Sequence, residues 1–314
     1  MDISQTKQID FCEERLMKII RDIEPSDNQK DGAKRSHNNL REVLDSGKMK
    51  NCILDSYLSG SYKRDTAIKP LEDVDIIFII RADAWSSRLI SPGPNPMDVL
   101  QTFSNAIRYR YPESSLRFQR RSIRLQLNHI DIDIVPAICD SEDTRKIWIP
   151  DTEDKKWIVT SPKIHEEITI ALNKKLNGCF KPIVKLLKRW NNSLPESVSF
   201  KSFALETMAT RLFQNISFDS YTSGVLYFFD FIAALGEKLS NYNWKSDYEI
   251  SLGYFSQKVP DCTGIGGNTI AGISYGRVEK FISHSVRSRD KLIAALNARY
   301  TENSIQRINE IFGF

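Results

Sequence analysis

Two aspartates, Asp73 and Asp75, open the apolar run Ile76–Ile80. Side chains of a strand alternate between faces, so residues two apart point the same way. Two carboxylates held side by side repel unless a cation lies between them. Magnesium favours such oxygen ligands and often completes its shell with substrate phosphates. Upstream of the pair stands Gly60-Ser61, with Arg64 and Thr66 in between. A glycine lets the backbone approach a ligand closely, because it has no Cβ. Amides exposed in such a turn, or at a helix start, suit a phosphate. Alone, Asp-x-Asp is more often a solvated pair on a hairpin edge. Joined to the Gly-Ser turn, it reads as a metal-and-phosphate site.

A second acidic strand follows in Ile130-Asp131-Ile132-Asp133-Ile134-Val135-Pro136-Ala137. Asp131 and Asp133 share a face, so periodicity does not choose between them.

The elements that must position these groups fall into two kinds. Ile9, Cys12, Leu16, Ile19, Ile20 and Ile23 recur at helical spacing, so residues 5–24 are expected to form an amphipathic helix that Pro25 stops. Ser26 and Gln29 form a candidate capping box for a second helix. Its buried stripe is Ala33, His37, Leu40 and Leu44, and Gly47 ends it. His37 on that stripe reads as a core histidine. A strand is expected over 74–81 and a helix over 97–109. Arg117–Gln126 and Ile130–Val135 read as two strands joined at Asn128-His129. Lys146–Val159 reads as irregular. From Ser161 onward the spacing is helical, with stripes on Ile164–Leu176, Ile183–Trp190, Phe203–Leu212 and Val225–Leu239. Val259–Gly276 is glycine-rich but follows no strand, so it is a loop and not a dinucleotide fingerprint. Two last helices are expected over 277–298 and 303–312. The pattern is α/β up to about residue 160 and helical beyond, an α+β arrangement with a cleft between two lobes.

Gly60-Ser61, Arg64, Thr66, Ile68, Pro70 and Asp73-Val74-Asp75 resemble the signature of the DNA-polymerase-β-like nucleotidyltransferases. The variant is most similar to that of the bacterial CD-NTases, the cyclic-oligonucleotide synthases related to cyclic GMP–AMP synthase and oligoadenylate synthetase. The resemblance implies a polymerase-β-like catalytic lobe with a mixed sheet over residues 1–160, including an N-terminal bridging helix. It implies a helical nucleotide-binding lobe over 161–314. It also implies two magnesium ions, which manganese could replace, clamping both oxygens of an in-line displacement. A third carboxylate three residues before a Pro-Ala pair is then expected, which is Asp133, with Asp131 outside the ligand set.

The resemblance extends to Lys185-Leu-Leu-Lys188-Arg-Trp190 and Phe200-Lys-Ser-Phe203-Ala-Leu-Glu206. In related enzymes the lysine matched by Lys188 reaches the triphosphate. A hydroxyl matched by Ser202 binds phosphate, and the aromatic matched by Phe203 can stack on a base. Read from the residues alone, Lys188 is a solvated lysine, Ser202 an N-cap and Phe203 a core residue. Gly60 and Ser61 are expected to hold the donor nucleotide.

The 314 residues, 41% hydrophobic and 27% charged, describe a globular protein of two modest domains. Five cysteines without Cys-x-x-Cys spacing argue against a disulfide framework and a zinc ribbon. A reduced, cytoplasmic setting is expected, with no signal peptide and no membrane span. The net charge of +4 is compatible with nucleotide substrates but demands no nucleic-acid partner. The expected activity is a cyclic di- or trinucleotide synthase using NTPs, ATP among them. The protein is expected to be a monomer that signals to a downstream effector in antiphage defence. The alternatives are an RNA or tRNA nucleotidyltransferase, a linear oligonucleotide synthase, or a catalytically dead binding protein. The mild charge and the lack of an RNA-binding extension speak against the first. The intact set Asp73, Asp75 and Asp133 speaks against the last.

Overall fold

The computed structural model describes residues 3–47, 49–85, 89–244 and 249–314, without the side chains of 3–10 and 89–90. Along the chain come α1 (Ile3–Ile23), α2 (Asp27–Ser46), β1 (Ile53–Ser59), the one-turn α3 (Gly60–Arg64) and β2 (Asp73–Ile80). A minimal ribbon of β3 (Leu89–Ile90) and β4 (Gly93–Pro94) precedes α4 (Pro96–Arg110). Then follow β5 (Ser115–Phe118), β6 (Ile123–Gln126), β7 (Asp131–Cys139), β8 (Ile147–Asp151) and β9 (Lys156–Thr160). The helices α5 (Pro162–Lys175), α6 (Phe180–Ser193), α7 (Ser202–Asn215) and α8 (Tyr221–Leu235) come next. A hairpin of β10 (Ser251–Gly253) and β11 (Ser256–Lys258) leads to α9 (Tyr275–Leu296) and α10 (Thr301–Phe312). Among the described residues no helix is long and apolar enough to cross a membrane.

The chain divides into two compact units, Pro25–Glu167 and the combination of Met1–Glu24 with Ile168–Phe314. The sheet-bearing unit holds a mixed seven-stranded sheet among the described residues, in the order β1-β2-β7-β6-β5, with β8 on the far end of β7 and β9 beside it. The pair β2–β7 is parallel and the other pairs are antiparallel. Residue parity decides which face each side chain takes. Val74, Ile76, Phe78 and Ile80 of β2 join Ile123, Leu125, Ile132 and Ile134 on one face. There α2 covers them with Ala33, Leu40 and Leu44, and α4 with Val99, Leu100, Phe103 and Ile107. Each such fully buried side chain contributes roughly 1.5–3 kcal/mol, enough to lock the register of β2. The opposite face carries a smaller apolar cluster, Ile77, Ile79, Ala137, Ile147 and Ile149. By parity, Asp73, Asp75, Asp131 and Asp133 lie on this second face, ahead of that cluster.

Local signals behave as their chemistry requires. Ser26 and Gln29 form the reciprocal capping box at α2. His37 is buried on the α2 stripe, edge-on to Tyr62. Several readings need correction. Arg117–Gln126 is not one strand but the hairpin β5–β6, because the chain reverses at residues 119–122, where Gln119 N donates to Ser122 O. Lys146–Val159 is not irregular: β8 and β9 form a regular hairpin, with Trp157 buried and its Nε1 donating to Pro94 O. The strand β1 and the ribbon β10–β11 were not legible, since both alternate weakly. Helix α8 also begins four residues earlier than its apolar stripe, at the cap Ser220.

In the helical unit Trp190 is buried among Phe228, Phe229 and Phe281, and its Nε1 donates to Ser288 Oγ at 2.9 Å. Helix α1 packs on α6, α8, α9 and α10 and groups with this unit, whereas the sequence placed it with the sheet. Its buried stripe, Cys12, Leu16, Ile19 and Ile23, is the reason, while the side chain of Ile9 lies outside the described residues. Its Glu13 accepts from Tyr221 N, Thr222 N and Thr222 Oγ1, closing the N-terminus of α8. The expected boundary at 160 lies just before α5, the helix along which the partition falls.

Candidate active site

The parallel register of β2 and β7 sets Asp73 beside Asp131 and Asp75 beside Asp133. Four carboxylates therefore share one sheet face on two adjacent strands. Asp133 is buried, with its side chain 10% exposed, against 22% for Asp131 and 41% for Asp73. Burial raises the carboxyl of Asp75 to about 7, with Asp73 and Asp133 adding to the shift and Arg64 opposing it. Burial and then Asp133 likewise raise Asp73. Burial and neighbouring carboxylates both disfavour the charged forms here, and a bound cation would oppose that. An all-carboxylate donor set is also the kind that a hard divalent cation takes. The residues present thus fit a magnesium or manganese site.

One cation is already built in. Arg124, on β6 directly opposite Asp133, grips it with both prongs. Nε donates to Asp133 Oδ1 at 2.8 Å and Nη2 to Oδ2 at 2.7 Å. Nη2 also reaches Asp73 Oδ2 at 3.2 Å, and Nη1 lies 3.5 Å from Asp131 Oδ2. Sequence reasoning missed this residue. Its only sequence signal is the alternation Ile123-Arg124-Leu125, in which both neighbours are buried and Arg124 must face away from them.

Gly60 and Ser61 start α3, immediately after Ser59, which pairs with Asp75 across β1–β2. Gly60 has φ +68°, and a Cβ there would overlap Asp75 Oδ2. The glycine is thus required twice, by its conformation and by the carboxylate packed against it. The turn is tied down by Thr66 N donating to Ser61 O at 2.9 Å. It is tied again by Lys63, 3.2 Å from Glu166 of α5. Ser61 is half-buried and lies one residue from the atom pair Gly60–Asp75.

The remaining expected residues belong to the helical unit. Lys188 is not solvated: it is buried, with Nζ 3.1 Å from the buried Glu206. Lys185, one turn earlier, pairs with Glu24 at 2.6 Å. Ser202 is the first residue of α7 and exposed, while Lys201 occupies the N-cap, so the capping role expected from the residues alone does not hold. Phe203 is 39% exposed and is not a core residue.

Comparison with known proteins adds family and fold. The SMODS family, described as the Second Messenger Oligonucleotide or Dinucleotide Synthetase domain, matches residues 12–173. A curated relative named cyclic AMP-AMP-AMP synthase, from an Acinetobacter species, is 33% identical over 66% of this chain and 60% of its own length. Across the first curated relatives the matched chain spans 55 to 64% of their length. Among solved structures, Escherichia coli MS115-1 CdnC with ATP has a TM-score of 0.74 at 20% identity, covering 96% of this chain and 98% of that one. GTP-bound DncV of Vibrio cholerae has a TM-score of 0.65 at 13% identity, covering 100% and 90%. At those identities the structural likeness speaks for the fold, which is that of the polymerase-β-like CD-NTases. The family match spans more than half of the chain and includes the Gly60–Ser61 turn and all the paired carboxylates, so the chain belongs to the SMODS family of bacterial CD-NTases.

Proposed function

We propose that the chain is a divalent-metal-dependent nucleotidyltransferase that joins NTPs into a cyclic oligonucleotide. The observation that carries this reading is the in-register pairing of Asp75 with Asp133, flanked by Asp73 and capped by the Gly60–Ser61 turn. When bound, two magnesium or manganese ions would neutralise the triphosphate and stabilise charge on the attacking and leaving oxygens. Asp73, Asp75 and Asp133 would hold them. The acceptor 3′-hydroxyl would lie beside Asp133. Ser61 donates its hydroxyl to a phosphate oxygen of the donor, and Gly60 lets the backbone come close enough for that bond. Arg64 keeps part of the positive charge near Asp75. In the helical unit Lys188 and Ser202 are assigned to the triphosphate and Phe203 to the base, as the family resemblance implies. For Lys188 this role requires that it share its charge between Glu206 and the nucleotide.

The names of the relatives favour ATP as a substrate. The product would act as a second messenger on a downstream effector in antiphage defence, made by a monomeric, cytoplasmic enzyme. Incubation with labelled NTPs and magnesium, with and without RNA, tests the reading. A phosphatase-resistant product of whole NMP-minus-water mass is expected from NTPs alone. A ladder that keeps its 5′-triphosphate would instead make this a linear oligonucleotide synthase. Full dependence on added RNA would make it an RNA nucleotidyltransferase.

A further inference from the structure

The guanidinium of Arg124 stands where the carboxylates of β2 and β7 converge. It touches Asp73, Asp131 and Asp133, and it takes both oxygens of Asp133 in a fork. A carboxylate offers about four lone-pair positions. The fork uses one on each oxygen of Asp133 and leaves one on each for a metal. The charge is less forgiving than the geometry. A fixed positive charge a few ångströms from a dication opposes its binding, and a guanidinium does not lose its proton to relieve this.

We propose that Arg124 is a positioning residue that acts as a resident counter-charge for the metal site. It holds Asp133 and Asp73 in place while the metal is absent, and it lowers the affinity of the site for the metal alone. The inference rests on the reading of Asp73, Asp75 and Asp133 as metal ligands. Its consequence is an order of assembly: the ion binds tightly only when nucleotide phosphates add ligands and negative charge. A purely structural Arg124 would tie β6 to β7 and leave metal affinity alone.

The test is Mn²⁺ binding to the metal-free full chain, followed by calorimetry or by the loss of the free-ion electron paramagnetic resonance signal. Removing one charge near a dication should change affinity on the order of tenfold. Arg124→Gln should therefore bind Mn²⁺ about tenfold more tightly than the unmodified chain. Arg124→Lys keeps the charge but loses the fork, and should bind Mn²⁺ with about the affinity of the unmodified chain. Adding a non-hydrolysable ATP analogue should narrow the gap between Arg124→Gln and the unmodified chain. Equal or weaker Mn²⁺ binding by Arg124→Gln overturns the proposal, as does a gap that the analogue leaves unchanged. Should circular dichroism show that Arg124→Gln does not fold, Arg124→Met, which also removes the charge, decides, and equal or weaker binding by that variant overturns the proposal. Asp75→Asn is the control and should lose the Mn²⁺ site. If it binds Mn²⁺ like the unmodified chain, the metal reading itself fails and this inference falls with it. If Asp75→Asn loses the site while Arg124→Gln binds normally, only this inference fails.

Discussion

The carboxylate of Asp75 fills the space that a side chain on Gly60 would need. The turn and the acidic strand are therefore one unit, built by the β1–β2 pairing that puts Ser59 beside Asp75. Gly60→Ala should fail on two counts. A left-handed conformation costs a non-glycine residue about 1–2 kcal/mol, and the overlap with Asp75 forces either the turn or the carboxylate to move. We expect a loss of about 2–4 kcal/mol in urea unfolding, with turnover lost in whatever remains folded. A Gly60→Ala protein of normal stability and activity would mean that the turn and Asp75 are independent.

Ser61 faces a simpler test. If its hydroxyl donates to a charged phosphate, Ser61→Ala should weaken nucleotide binding by about 1–2 kcal/mol. Unfolding stability should stay nearly constant, because among the described residues no side-chain hydrogen bond of Ser61 shapes the turn; its carbonyl does, through Thr66 N. Titration calorimetry with a non-hydrolysable analogue reads this directly. Unchanged affinity would confine Ser61 to a structural role.

The carboxylate cluster predicts a pH dependence of known sign. Asp75 titrates near 7 in the folded chain, against the ordinary 3.8, because it is buried near Asp73 and Asp133. The fold thus holds this proton more tightly than the unfolded chain does. The stability it contributes is complete below pH 3.8 and is lost as the pH rises through about 7. Asp75→Asn cannot ionise, so its metal-free stability should fall less over that window. Urea midpoints at stepped pH in a chelator compare the two. Parallel curves would show that Asp75 titrates normally. With metal present the sign reverses, since the ion favours the ionised carboxylate, and magnesium should stabilise more at pH 8 than at pH 6.

Asp73→Asn with Asp75→Asn should abolish turnover. The melting temperature in chelator should stay unchanged or rise, since two repelling charges are removed. Differential scanning fluorimetry with and without magnesium is the check. Normal product from this double variant would remove the two-metal mechanism.

Lys188 and Glu206 form a buried pair, and the two roles assigned to the lysine can be separated. Lys188→Ala leaves the Glu206 carboxylate buried without this cation and should cost about 3 kcal/mol of stability. Combining it with Glu206→Gln should restore most of that loss. If Lys188 also serves the triphosphate, nucleotide affinity stays low in the stable double variant. Full recovery of affinity would make the lysine purely structural.

The sequence by itself determined the pieces with a short physical reach. Asp73 and Asp75 share a face because strands have a two-residue period, and the capping box at Ser26 closes because its partners are three residues apart. The helices beyond Ser161 are legible from apolar spacing alone. A glycine followed by serine upstream of the acidic strand announced a turn that must admit something close. What the tertiary structure alone decided is pairing across the chain. The parallel β2–β7 register, which sets Asp133 beside Asp75, depends on how Ile132 and Ile134 pack with Ile76 and Phe78 over α4. No local pattern encodes that choice. The same holds for Arg124, whose guanidinium reaches Asp73 from a strand that is 51 residues away in sequence. It holds too for Lys188, which reads as a surface lysine until α7 brings Glu206 against it. The helix α1 makes the point at larger scale. Its stripe predicts burial, but burial against α6, α8, α9 and α10 is a contact between distant segments, and only the packed chain shows which surface accepts it.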